Sequence, residues 1–385
     1  MNPLSALLSL PEVEKRERGL LHTPGEIAQQ PATWRRTLQL FETMQPELQD
    51  FLREAHQRRW TIFMVGAGTS DYIGHALAAL LRTQWQCEVA AIASTDLLTN
   101  RDDFILPDRD YLWISFSRSG DSPEGVAVLE QALDACLNVR HLVISCNKDG
   151  RMVELAQQST RSLAVILDDA VNDRSLAMTS SYTNMVVFGQ ALAHLWNSGS
   201  YHATLDSMTQ AAEYLLGDGA ELAHTLAAQH PHRACFVGAG SLMATARESA
   251  LKLLELTSGR VQTMYETTLG LRHGPMSALT PQTLFTIFLS HDERRRSYDV
   301  DLLKEVRAKG VVRTIVTIGG TDAASDFSLD CPAFRRIDDL YRPAVDVIFG
   351  QLLGLFASIE FGMSPDSPSP SGLISRVVEK FAIYA

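Results

Sequence analysis

An apolar strand that empties through Gly-Ala-Gly into a helix occurs twice. Phe63-Met64-Val65-Gly66-Ala67-Gly68-Thr69-Ser70 returns as Cys235-Phe236-Val237-Gly238-Ala239-Gly240-Ser241-Leu242. This repeat constrains the fold more than any other feature, because a duplicated unit must bury a similar core twice. Strand-like and helix-like runs alternate after each copy. In the first half the strands fall at 62–65, 89–92, 112–115, 142–145 and 163–166, with helical spacing through Leu77, Leu80 and Leu81, up to Leu137, around 152–156 and over 177–196. In the second they fall at 261–265, 284–289, 312–318 and near Arg336, with helices over 244–256, 301–308 and 344–361. Such alternation predicts α/β architecture with a parallel, doubly wound sheet flanked by helices in each lobe.

Ahead of the first repeat the pattern is helical. Leu4, Leu7 and Leu8, then Leu38, Phe41, Met44, Leu48, Phe51 and Leu52 over 34–57, recur at helix spacing, and His22-Thr23-Pro24-Gly25-Glu26 marks a break with a new helix at Thr23 or Pro24. The expected layout is an N-terminal helical arm over 1–44, a first domain over 45–200, a helical linker over 201–214, a second domain over 215–366 and a tail over 367–385. The linker opens a polar helical stretch, 203–229. A Pro/Ser-rich knot at 364–371 leads into a last segment, 373–384.

The bulk numbers narrow the function. With 385 residues, 45% hydrophobic and 21% charged, the chain can fill two ordinary cores. A net charge of −11 argues against nucleic acid or an anionic membrane as partner, so an anionic substrate must be held by locally aimed donors. No apolar run reads as long enough to span a bilayer, and Met1-Asn2-Pro3 opens neither a basic nor an apolar leader. Cys87, Cys136, Cys146, Cys235 and Cys331 lack any C-x-x-C spacing, which fits reduced structural thiols in a cytoplasm and no metal site.

Such donors gather at 114–124, Ile-Ser-Phe-Ser-Arg-Ser-Gly-Asp-Ser-Pro-Glu, where a strand apolar on both faces runs into a hydroxyl-rich loop and then a helix. Ser122 suits the N-cap and Pro123 the first helical position. Free backbone N–H groups, the helix dipole and the hydroxyls of Ser117, Ser119 and Ser122 suit a phosphate dianion. A Ser/Gly-rich turn that only caps a helix has the same composition. The Gly66-x-Gly68 turn invites a dinucleotide, but the third glycine of that fingerprint is Asp71 in one lobe and Met243 in the other. A helix beginning there should pack less closely on its strand. No G-x-x-x-x-G-K-[ST] motif occurs.

In the second half Glu248, Lys252 and Glu255 share one helix face, and His273 stands before a Gly-Pro break that can present its ring into a cleft. A solvated ion-pair ladder and a structural histidine would look alike. Beside a phosphate cradle, however, these groups are the parts of a proton-transfer enzyme acting next to a carbonyl.

Together these motifs resemble the sugar isomerase (SIS) domain family, and the double lobe is similar to the isomerase half of glucosamine-6-phosphate synthase. Ser117-Arg118-Ser119-Gly120-Asp121-Ser122 resembles the family's Ser-x-Ser-Gly-x-Thr phosphate loop, and Gly68-Thr69-Ser70 its sugar-binding turn. Ala250-Leu251-Lys252-Leu253-Leu254-Glu255 is similar to the helix with the proton-shuttling glutamate. Arg272-His273-Gly274-Pro275 is similar to the segment whose histidine opens the sugar ring, usually lent by a neighbouring subunit. His22-Thr23-Pro24-Gly25-Glu26-Ile27, Ala177-Met178-Thr179-Ser180-Ser181-Tyr182-Thr183 and Ser375-Arg376-Val377-Val378 resemble the galactosamine-6-phosphate deaminase/isomerase group, also called tagatose-6-phosphate ketose/aldose isomerases.

The resemblance implies a cytoplasmic deaminating isomerase that turns galactosamine 6-phosphate into tagatose 6-phosphate and ammonia without cofactor or metal, as a homodimer or dimer of dimers. Ser117, Arg118 (through its backbone N–H), Ser119 and Ser122 would hold the phosphate. Gly68, Thr69, Ser70, Met178, Thr179 and Ser375 would line the sugar. His273 would open the ring, Glu255 would carry the proton from C2 to C1, and Lys252 would support Glu255 or the oxyanion at O1. Position 2 is Asn2, not the synthase's glutaminase cysteine, which favours release of ammonia. Ser375, beside Arg376, stands where the synthase has a C-terminal lysine. The alternatives are a plain aldose–ketose isomerase, a fructosamine-6-phosphate deglycase and a non-catalytic sugar-phosphate sensor.

Overall fold

The computed structural model describes residues 2–197, 201–369, 372, 374–379 and 381–384. Pro370, Ser371, Leu373 and Lys380, from the expected knot and last segment, lie outside them. The chain forms two compact units, one of residues 1–32, 174–179 and 202–373, the other of 33–173, 180–201 and 374–385.

Helices α1 (Pro3–Leu8), α2 (Glu12–Arg18), α3 (Thr23–Ala28) and α4 (Gln30–Gln57) come first. The start of α3 is fixed by Asp366, whose carboxylate accepts hydrogen bonds from the Thr23 N–H at 2.8 Å and the Thr23 hydroxyl at 2.7 Å. That explains the break read at His22-Thr23-Pro24.

The first sheet is built from β1 (Thr61–Gly66), α5 (Thr69–Trp85), β2 (Val89–Ala93), α6 (Ser94–Phe104), β3 (Tyr111–Ser117), α7 (Pro123–Ala135), β4 (Val139–Ser145), α8 (Arg151–Gln157) and β5 (Ser162–Ile166). All its pairings are parallel, in the order β2-β1-β3-β4-β5. Helix α6 was not read from the sequence, because Thr95-Asp96-Leu97-Leu98-Thr99-Asn100-Arg101 carries only a short apolar pair on which to build a periodic face. Contrary to expectation, α5 packs closely on its strand without a third glycine at Asp71. Gly74 supplies the close approach one turn later, where a Cβ would come within 2.8 Å of the Met64 Cβ.

Helix α9 (Ser180–Ala193) completes that unit and begins three residues later than the expected 177–196 helix. The Asp173 carboxylate sets the start, accepting from the Ser180 N–H at 3.1 Å and the Ser181 N–H at 2.8 Å. Helices α10 (Tyr201–Tyr214) and α11 (Ala220–Ala227) follow, joined by one π-helical turn.

The second sheet comprises β6 (Arg233–Gly238), α12 (Leu242–Leu256), β7 (Gln262–Glu266), β8 (Thr283–Phe288), α13 (Glu293–Lys309), β9 (Thr314–Ile318) and β10 (Phe327–Leu329), and α14 (Pro343–Glu360) packs against α11 and α12. Its order, β10-β9-β8-β6-β7, is that of the first sheet read from the other edge, again all parallel, so the duplication extends from motif to topology. The short strand expected near Arg336 is instead β10. Leu329 is buried there, whereas Arg335 and Arg336 are exposed and lie in a 3-10 turn. The expectation that no run could span a bilayer also fails for α14, which is long and apolar enough by itself. Its apolar character on every side follows from burial inside the lobe, where 89% of the helix is buried.

His141 in β4 is fully buried, edge-on to Trp113 at 5.4 Å, and neither ring nitrogen has a hydrogen-bond partner. Burial, with a smaller push from Arg161, drives its pKa from 6.5 down to about 3. The unfolded chain therefore takes up this proton before the folded one does, and stability falls as pH drops through that window. Between about pH 7.5 and about pH 5 the loss from this group is about 2 kcal/mol. Urea unfolding at both values should show that loss, and His141→Leu should remove it; an unchanged pH slope in the variant would assign the acid sensitivity elsewhere.

Candidate active site

In the first sheet the connections leave β1 and β3 in opposite directions, so the crevice for a ligand opens at the C-terminal ends of these two neighbours. Both expected binding stretches lie there. After β1, Gly68 adopts φ +56°, and Thr69 and Ser70 are buried in the first turn of α5. After β3, Ser117 and Arg118 are buried, Ser119 and Ser122 are partly exposed, and Gly120 takes φ +69°.

The loop is tightly held. Ser117 Oγ accepts from the Gly120 N–H at 2.9 Å and Ser119 Oγ from the Asp121 N–H at 3.2 Å, which leaves each hydroxyl its O–H to donate. Ser122 occupies the N-cap of α7 as expected, but its side chain makes no capping bond, so that hydroxyl is not engaged by the helix. The β4–α8 connection supports the loop from below. Asn147 Nδ2 donates to the Ser119 carbonyl at 2.8 Å, the Met152 N–H to the Gly120 carbonyl at 2.9 Å and the Arg151 N–H to Asp121 at 2.8 Å. A Cβ on Gly120 would lie 3.0 Å from the Gly150 Cα, so only glycine fits this approach. Cys146 beside this region is no nucleophile, because burial, reinforced by Asp173, pushes its thiol pKa up.

The second sheet offers the same position after β8, but a protein carboxylate fills it. Asp339 accepts from the Ser290 hydroxyl and from the His291 N–H at 2.9 Å, with Arg342 Nη1 at 3.5 Å and Arg295 Nε at 3.6 Å. The position that corresponds to the serine loop is therefore satisfied from within in the second lobe.

Lys252 and Glu248 are fully buried on α12, with Nζ to Oε1 at 3.4 Å, and Lys252 also donates to Glu255, whose side chain is 29% exposed. Glu255 lies in the last turn, where the helix dipole disfavours a carboxylate, and the lysine offsets this. The ladder is thus neither solvated nor merely superficial. Glu248, noted in the sequence only as a helix-face residue, is the buried counter-ion of Lys252; its helical spacing gave that face but not its burial.

His273 is exposed, just past a 3-10 turn (Gly270–Arg272) and before Gly274 at φ +121°. Leu271, two residues earlier, packs with Leu302, Leu303 and Val306 of α13 on the sheet face carrying Cys235 and Val237. Helix α12 packs with α14 and on β6 and β7, over the opposite face. Within one chain, therefore, His273 and Glu255 are assigned to different faces of the second sheet.

Thr179 is fully buried and Met178 nearly so, and the Thr179 carbonyl lies 3.5 Å from Gln351 Nε2. Glu26 of the Thr23-Pro24-Gly25-Glu26 motif holds this approach segment through the Arg174 N–H and the Ser175 hydroxyl. Ser375 is exposed and its hydroxyl donates to the Val377 carbonyl at 2.6 Å, while Arg376 is the tail residue drawn into the protein. All five cysteines are free thiols. Among the described residues no cluster of three His, Cys, Asp or Glu could hold a metal ion.

Comparison with known proteins gives the same architecture. The SIS domain family model matches residues 55–195 and 228–335. The chain is 34% identical over 368 residues to D-galactosamine-6-phosphate deaminase AgaS of Escherichia coli, covering 94% of this chain and 95% of that protein. It is 31% identical to the protein of the same name from Shewanella sp. strain ANA-3, covering 95% and 92%. The crystal structure of tagatose-6-phosphate ketose/aldose isomerase from Escherichia coli superposes with a TM-score of 0.83 at 31% identity, covering 90% of this chain and 95% of that one.

Proposed function

The chain belongs to the SIS domain family, and from that membership we propose that it converts D-galactosamine 6-phosphate and water into D-tagatose 6-phosphate and ammonia. Full-length similarity to proteins named as D-galactosamine-6-phosphate deaminases carries the substrate assignment. The serine loop, in which the Ser117 and Ser119 hydroxyls keep an O–H to donate, and the Lys252-supported Glu255 support the chemistry.

In this reading the hydroxyls of Ser117, Ser119 and Ser122 and the Arg118 N–H hold the phosphate, and the 68–70 turn with Met178, Thr179 and Ser375 lines the sugar. His273 assists opening of the ring to the amino aldehyde. Glu255 removes the C2 proton and a proton is returned at C1, giving an enolamine and then a ketimine at C2. Lys252 supports Glu255 or the negative charge that develops at O1. Water adds to the ketimine carbon, the C–N bond breaks and ammonia leaves, producing the ketose. The phosphate, remote from the reacting carbons, supplies binding energy that fixes them beside Glu255.

The separation of His273 and Glu255 onto different sheet faces supports a site completed by a second copy of the chain, as a homodimer or dimer of dimers. The five free thiols support a cytoplasmic setting, and the proposed substrate, a deacetylated amino-sugar phosphate, supports a role in N-acetylgalactosamine breakdown after deacetylation. His273→Ala should slow the closed-ring substrate about a hundredfold while sparing an open-chain analogue; equal losses on both would count against ring opening. A coupled ammonia-release assay across galactosamine 6-phosphate, glucosamine 6-phosphate and their N-acetyl forms tests the assignment. Ammonia should appear fastest from galactosamine 6-phosphate. Isomerisation of hexose phosphates with no ammonia from any amino sugar would make the protein a plain ketose/aldose isomerase, the activity named for the similar crystal structure.

A further inference from the structure

The tail carries a hydrogen-bond clip onto the serine loop that the reaction scheme leaves unused. Arg118, 7% exposed at the centre of that loop, donates from Nη2 to the Arg376 carbonyl at 2.7 Å. The Arg376 guanidinium continues inward, with Nε donating to the Asp173 carbonyl at 2.6 Å and Nη2 to Asn172 Oδ1 at 2.5 Å. Asp173 in turn accepts from the Ser180 and Ser181 N–H groups and from the Ser181 hydroxyl at 2.5 Å, which anchors this turn to the head of α9. All these residues belong to the unit that holds the first sheet.

A guanidinium with two bonds to backbone and amide oxygens fixes the tail far better than a lone contact, because its planar fork is preorganised. The tail carbonyl so fixed accepts a hydrogen bond from the buried Arg118 side chain, and Arg118 is the residue whose backbone N–H is expected to hold the phosphate. Resting on the reading of 117–122 as the phosphate cradle, we propose that Arg376 is a positioning residue: it clamps the C-terminal tail against Arg118 and so holds the serine loop in its anion-binding shape before substrate arrives. A preorganised loop binds without an ordering cost, so loosening it weakens phosphate affinity and leaves the proton-transfer step intact.

The test compares Arg376→Ala, Arg376→Lys and Ser119→Ala with the unaltered protein, using KM and kcat for galactosamine 6-phosphate, kcat/KM for galactosamine, and inhibition by inorganic phosphate. Arg376→Ala should raise KM and the phosphate inhibition constant by about tenfold, with kcat and the unphosphorylated sugar little changed. Arg376→Lys, which keeps the charge but not the fork, should fall between. If Ser119→Ala weakens phosphate inhibition and Arg376→Ala does not, the clip is overturned while the cradle stands. If Ser119→Ala also leaves phosphate inhibition unchanged, the cradle itself is misplaced. Equal losses on phosphorylated and unphosphorylated sugars, with a lowered melting temperature, would reduce Arg376 to a structural tie and overturn the proposal.

Discussion

Glu255→Gln should lower kcat by about a thousandfold while leaving the affinity for sugar phosphate nearly unchanged. Glutamine keeps the size of the side chain and one oxygen to accept from Lys252, so the last turn of α12 has no reason to unravel. What it loses is the ability to accept the C2 proton. The substitution also removes a negative charge beside a buried ammonium, but Glu248, fully buried at 3.4 Å, still faces Lys252. Steady-state kinetics with phosphate inhibition as the binding readout checks both halves. Residual turnover above about a tenth of the unaltered rate would remove Glu255 from its role, since general base catalysis is worth at least about a hundredfold.

The double variant Ser117→Ala/Ser119→Ala should raise KM by about a hundredfold or more. Two hydroxyl donors to a dianion are lost, each worth about 1.5–3 kcal/mol when the acceptor is charged, so their sum, about 3–6 kcal/mol, corresponds to at least about two powers of ten. Ser117 carries the larger added cost, because its buried Oγ accepts the Gly120 N–H at 2.9 Å, whereas the half-buried Ser119 accepts the Asp121 N–H at a longer 3.2 Å. Ser119→Ala alone is therefore the cleaner measure of phosphate contact and Ser117→Ala the larger effect. KM values unchanged in both would place the phosphate elsewhere.

Much of this is legible in the sequence. Every strand of both sheets except β10 announces itself as a short apolar run, and the paired Gly-Ala-Gly turns expose the duplication, because these signals are local in sequence. The same holds for the serine loop: a buried strand, hydroxyls, then Ser122-Pro123 at a helix start. What escaped depends on residues distant in the chain. Asn147 and Gly150, which support the loop, belong to the next strand–helix connection. Asp339, which plugs the second lobe's cradle, lies far beyond the β8 loop it fills. The delay of α9 to Ser180 comes from Asp173, whose carboxylate satisfies N–H groups that helical periodicity alone assigns to an earlier turn. The chemistry of the 250–255 segment was readable as spacing, but the burial of Lys252 and Glu248 was not, since charged residues at i and i+4 ordinarily describe a wet surface.

The measurement that bears most directly on a proton being taken from C2 as the nitrogen is lost is turnover of galactosamine 6-phosphate deuterated at C2, followed by NMR and ammonia assay together. The result expected is one ammonia released for each tagatose 6-phosphate formed, with the C2–D bond broken at the same rate and both processes stopped in Glu255→Gln. Ammonia release that leaves deuterium at C2, or loss of deuterium that continues undiminished in Glu255→Gln, would contradict it.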